Sequence, residues 1–180
     1  MYVVFIHGPA AAGKHTIGLR LSEETGLPLF HNHLAVDVAR VLFDFGSAGF
    51  RKLRAVIWLT AFSEAAAAGR SFIFTFHPEA SVEPALISDL TRVVEAAGGR
   101  VFFVELTCSR ETILARLPLS DRSRFSKLTD PELYRAIEAN GGFEFPALPL
   151  PLITLDTDHT TPADAARKIA DAIAQSTQGQ

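Results

Sequence analysis

The sequence predicts an α/β domain built on a parallel sheet covered on both faces, and three observations carry that expectation. Short apolar runs alternate with longer amphipathic ones. The short runs are almost continuous in apolarity, as strands buried on both sides must be, and a glycine-rich turn stands directly behind the first of them. A chain of 180 residues is the size of one such domain, so residues 1–180 are read as a single unit.

Taken in order, Tyr2 to His7, Leu27 to His31, Ser71 to Phe76, Arg100 to Leu106 and Leu152 to Asp156 are the expected strands, each bounded by Gly, Pro or polar residues. Lys14 to Thr25, Leu34 to Phe43, Phe50 to Ala68, Val82 to Ala97 and Ser109 to Leu117 are the expected helices between them. In the fourth, Val82, Leu86, Leu90, Val93, Val94 and Ala97 form one apolar face, and Gly98-Gly99 supplies a left-handed stop. Asp130-Pro131-Glu132 and Thr161-Pro162-Ala163-Asp164 start two more helices, each with a capping side chain before a proline and an acid in the first turn. Trp58, between Ile57 and Leu59, belongs to the core by default.

Composition narrows the function classes. Hydrophobic residues make up 48% and charged residues 21%, which places the chain among globular proteins rather than disordered ones. Seventeen basic and 20 acidic residues give a net charge of −3, without the basic excess of a general nucleic-acid or anionic-membrane binder, so neither partner is expected. The longest runs free of charge, Met1 to Gly13, Ala55 to Ser63 and Phe145 to Leu155, fall short of the ~18 residues that a membrane span needs. Cys108 stands alone, which excludes an intrachain disulfide, and no basic leader precedes the first apolar run; a cytoplasmic monomer or homodimer is expected.

Ligands of such sheets bind beyond the carboxyl ends of the strands. The first of those ends reads Gly8-Pro9-Ala10-Ala11-Ala12-Gly13-Lys14-His15-Thr16 and runs straight into a helix. Two glycines let backbone N–H groups converge on an anion, the helix N-terminus adds positive potential, and Lys14 reaches the outer phosphates. The strict pattern wants Ser or Thr right after the lysine; His15 stands there, and Thr16 follows one later.

The pattern G-P-x-x-x-G-K-x-T resembles the loop of adenylate kinases and related P-loop small-molecule kinases, among them the chloramphenicol phosphotransferase and shikimate kinase groups. The resemblance covers the whole chain in order of elements, while its motif content lies in the first 40 residues or so and in the lid. It implies the three-layer P-loop nucleoside-triphosphate-hydrolase fold with a five-stranded parallel sheet, acceptor-side helices at about residues 32–68 and a lid at about 118–129. It further implies ATP with Mg2+ as cofactors, held by Gly8 to Thr16, with Thr16 on phosphate or metal. Arg116 would neighbour the adenine or ribose, and Arg122 and Arg124 would close on the transferring phosphoryl group, whose equatorial charge an arginine stabilises. An ordinary solvated loop is the other reading of Asp121 to Lys127.

The second strand ends in His31-Asn32-His33 with Asp37 one turn on, where a small-molecule acceptor belongs. His31, His33 and Asp37 are the expected acceptor-binding residues, with Asp37 assisted by His33 orienting or deprotonating a hydroxyl. Two alternatives stand beside this: Asn32 caps the helix while the histidines pack, or His31 and His33 take a metal. No aspartate ends the third strand, which leaves Glu79 or Asp37 as the acid nearest a magnesium shell. Of the arginines in the acceptor region, Arg40, Arg51 and Arg54 are available, too few to favour a phosphate-bearing acceptor over a hydroxyl compound of little charge. The function expected is ATP-dependent transfer of the γ-phosphoryl group to such a hydroxyl. A nucleotide-binding regulatory module with weak or no catalysis is the alternative, and the missing strand-end acid favours it.

Overall fold

The computed structural model describes residues 1–119 and 128–178. Strands β1 (Tyr2–His7), β2 (Leu29–His31), β3 (Phe72–Phe76), β4 (Arg100–Thr107) and β5 (Ile153–Asp156) form one sheet in the order β2-β3-β1-β4-β5, and every pairing is parallel. Helices α1 (Lys14–Thr25), α2 (His33–Leu42), α3 (Ala48–Ala67), α4 (Pro84–Ala96), α5 (Arg110–Arg116), α6 (Pro131–Ala139) and α7 (Pro162–Gln178) lie between and after the strands.

Strand alternation sorts the core into two layers. Val3 and Phe5 of β1 face the same side as Phe72, Phe74 and Phe76 of β3, where Trp58 and Phe62 of α3 and Leu90 and Val94 of α4 cover them. Val4 and Ile6 point the other way with Ile73, Phe102 and Val104, onto Ile17 and Leu21 of α1 and Ile169 and Ile173 of α7. The first layer is rich in aromatic rings: the Trp58 ring meets Phe74 edge-on at 5.4 Å, and Phe62 meets Phe72 at 4.9 Å. Truncating a fully buried Trp58 would cost roughly 3–5 kcal/mol on general grounds.

Helix boundaries follow local chemistry. Ser47 caps α3 by accepting from the Phe50 N–H, and Asp130 caps α6 ahead of Pro131. The fourth helix begins at Pro84 rather than at Val82, because proline fits the first helical position; Val82 is buried just outside it. Its stop is as expected, with Gly98 at φ 74°. Among the described residues no helix is long and apolar enough to cross a membrane.

Candidate active site

The register that pairs His7 with Phe76 brings β1 and β3 to an end side by side, with β2 beyond β3. The chain leaving β1 turns at Gly8, whose φ of 148° suits glycine and whose Cβ, if it had one, would lie 2.3 Å from the Leu106 carbonyl oxygen of β4. Ala11 (φ 59°) and Gly13 (φ 86°) are also left-handed, so peptide N–H groups turn inward. No side chain caps α1, whose positive end opens on a cavity of about 680 Å³. Lys14 bridges the loop, its Nζ donating to the Gly8 and Pro9 carbonyls at 2.7 and 2.6 Å.

Residues 10–16 form one wall of the cavity. His15 is half-buried there, its ring edge-on to His31 at 4.7 Å, and Thr16 is exposed. From α2 the wall takes His33, Val36 and Arg40 but not Asp37, and the buried His31 at the end of β2 is off it as well. The reason is helical period: the stripe through 33, 36 and 40 faces the cavity, and Asp37 lies to its flank with Oδ1 buried and without a hydrogen-bond partner. His33 and Asp37, four apart, are thus not equivalent on this face.

Glu79 stands three residues past β3, on the wall between the acceptor side and the phosphate loop. Arg54, which the sequence makes available to an acceptor, is instead engaged by this glutamate. Arg54 is 1% exposed, and its Nη1 donates to Glu79 Oε1 at 2.6 Å while Nη2 donates to the Ser81 carbonyl at 2.8 Å. Its guanidinium lies over the Phe50 and Trp58 rings at 5.0 and 5.1 Å. Burial draws the Arg54 pKa down from its ordinary value, and the neighbouring carboxylate opposes that shift. A signal for this was present: Phe50, Arg54, Trp58 and Phe62 recur every four residues, and an arginine inside an apolar stripe needs a buried partner. Arg51 is exposed and off the cavity, whereas Arg40 lines it.

Across the cavity, Arg116 at the end of α5 donates to the Thr157 carbonyl and hydroxyl and reaches the Ala11 carbonyl at 3.5 Å. Cys108 packs beneath, its thiol pushed up by burial against the pull of Arg116. Ser109 caps α5, its hydroxyl accepting from the Thr112 N–H. Leu133, Ile137 and Phe143 give this side an apolar surface. Arg122 and Arg124, expected to clamp the phosphoryl group, lie outside the described residues, as does most of the expected lid.

Magnesium fits this donor set only in part. Thr16 offers one hydroxyl, Glu79 is engaged by a guanidinium and Asp130 by its capping bond to the Glu132 N–H. Among the described residues no group of three His, Cys, Asp or Glu side chains is placed to hold a metal ion. A Mg2+ ion carried on nucleotide phosphates, with Thr16 as its protein contact, is the arrangement these residues suit.

No family model matches the chain, and no curated protein matches it. Solved structures do. A sugar kinase from Janibacter sp. is 18% identical with a TM-score of 0.65, over 96% of this chain and 94% of its own. The APS kinase of Mycobacterium tuberculosis, solved with AMPPNP and APS, is 15% identical at 0.64 over 96% of each chain. A gluconokinase from Sinorhizobium meliloti is 15% identical at 0.63, over 98% of this chain and 94% of that one. The sheet order, the glycine loop at the end of β1 and these neighbours give one conclusion: the chain has the fold of the P-loop small-molecule kinases.

Proposed function

We propose that the protein transfers the γ-phosphoryl group of ATP to the hydroxyl of a small molecule that carries little charge. The observation that supports this most directly is the loop of residues 8–13, folded into left-handed turns at the end of β1 with Lys14 across it and a cavity of about 680 Å³ in front. Phosphate groups take the N–H-lined turn and the positive end of α1, and Lys14 transfers its hydrogen bonds from the carbonyls to the phosphates. Arg116 and the turn at Thr157 border the nucleoside, and Thr16 contacts phosphate or a nucleotide-borne Mg2+ ion, which would neutralise phosphate charge.

The acceptor end is formed by Asn32, His33, Val36, Arg40 and Glu79. Among the described residues this end offers Arg40 beside mostly apolar and neutral groups, which suits a hydroxyl compound better than a phosphate ester. Arg122 and Arg124, outside the described residues, are the arginines proposed to stabilise charge on the transferring phosphoryl group. A titration with ADP followed by a screen of hydroxyl compounds for ADP release above the acceptor-free rate tests the reading. Absence of ADP binding removes it; binding without stimulation by any acceptor favours the regulatory module.

A further inference from the structure

We propose that Glu79 is the residue that orients the acceptor hydroxyl, and that Arg54 acts through it as a positioning residue. The inference rests on the proposed function and deepens it. Sheet order carries the first step: β3 lies between β2, which leads into the acceptor-side helix, and β1, which leads into the phosphate loop. A residue just past β3 therefore stands between donor and acceptor, and Glu79 is on the cavity wall there.

Its two oxygens differ. Oε1 accepts from Arg54 Nη1 at 2.6 Å and from Ser81 Oγ at 2.7 Å, and neither of those hydrogen bonds goes to Oε2. One oxygen thus fixes the carboxylate and the other serves a ligand. Fixing it takes a buried cation: Arg54 is 1% exposed, held between two aromatic rings and tied to the Ser81 carbonyl, so it cannot swing away with the ligand. Among the described residues the other carboxylate on the wall is Asp130, which is committed to capping α6.

The same contact argues against Glu79 as a magnesium ligand. A guanidinium 2.6 Å from the carboxylate repels a divalent cation, whereas it leaves the second oxygen a good acceptor for a neutral O–H. In the step itself, the acceptor oxygen forms a bond to the γ-phosphorus. The bond from that phosphorus to the bridging oxygen breaks with its electron pair to ADP, and the hydroxyl proton passes to Glu79 Oε2 and on to solvent.

Water can stand in for the acceptor, since it presents the same O–H to Oε2, so acceptor-free ATP hydrolysis is the assay. Glu79→Gln is expected to lower kcat at least ~10²-fold while the KM for ATP stays within about threefold, because the loss falls on the reacting group. Arg54→Met should lower kcat as well, and the double variant Arg54→Met/Glu79→Gln should be no slower than Glu79→Gln within about threefold, since one residue acts through the other. The double variant also removes both charges of the buried pair and so keeps a folded protein for the test should Glu79→Gln leave Arg54 stranded. Hydrolysis by Glu79→Gln at the wild-type rate overturns the proposal. So does a loss of Mg2+ dependence in its ADP binding, which would make Glu79 a metal ligand, and so does a wild type that binds ATP without hydrolysing it. A wild type that does not bind ADP at all is a different result: it removes the proposed function, and this assignment falls with it.

Discussion

Arg116 grips Thr157 with both arms of its guanidinium, Nη2 donating to the carbonyl at 2.8 Å and Nη1 to the hydroxyl at 3.1 Å. The grip joins the end of α5 to the turn after β5, and both residues stand on the cavity wall. Hydrogen bonds to a charged donor contribute about 1.5–3 kcal/mol each. Arg116→Ala is expected to loosen that turn and weaken ADP binding at least about tenfold, measured by calorimetric titration; an unchanged affinity would take Arg116 off the nucleotide side.

On the proposed function, Lys14 contributes where charge develops on the γ-phosphoryl group. Lys14→Ala should therefore reduce turnover by ~10²-fold or more while weakening ADP binding by about tenfold or less. Parallel titrations with ADP and rate measurements with ATP check the difference; equal losses in both would show that the lysine serves binding alone.

Glycines 8 and 26 are both left-handed, but only one has a neighbour in the way. A Cβ on Gly8 would meet the Leu106 carbonyl oxygen at 2.3 Å, whereas one on Gly26 would meet nothing within 4 Å. Gly26→Ala is expected to cost about 1 kcal/mol, the price of the backbone conformation. Gly8→Ala adds a backbone clash and should exceed that by at least ~2 kcal/mol, compared by urea unfolding of the two variants.

His7, 6% exposed, has its pKa lowered chiefly by burial; Glu105 opposes the shift and Lys14 adds to it. Its folded value is below its unfolded one, so the neutral ring is the one the fold accepts. Above pH ~6.5 both states are neutral and nothing is lost; as pH falls, the unfolded chain takes up a proton that the folded chain refuses, and stability declines down through the folded value. Non-titrating His7→Gln should thus gain on the wild type between pH 7.5 and 5 in denaturant unfolding. A constant difference across that range would contradict the assignment.

The strands and the phosphate loop were legible because their signals are local. Continuous apolar runs such as Phe72–Phe76 need no knowledge of their neighbours, and Gly8 to Thr16 carries its turn chemistry in its own composition. The acceptor wall was less so. Spacing alone put His33 and Asp37 together, but which of two adjacent stripes on α2 faces the cavity depends on how α2 rests on α3, a tertiary matter. Arg54 misled for the same reason, since its partner Glu79 is 25 residues away in sequence. Beginning the second strand at Leu27 overran it by two residues because Pro28 cannot donate to a ladder; its carbonyl instead receives the Ile73 N–H.

The bridge from Lys14 to the Gly8 and Pro9 carbonyls bears on selectivity among anions. Its ammonium already donates to two carbonyl oxygens before anything arrives, so a newcomer must displace them. Chloride or acetate, with one dispersed or single charge, offers little in exchange, while a polyphosphate chain replaces both partners at once and fills the adjoining turn. On the proposed function, the resting loop would thereby favour a polyphosphate chain over small monovalent anions.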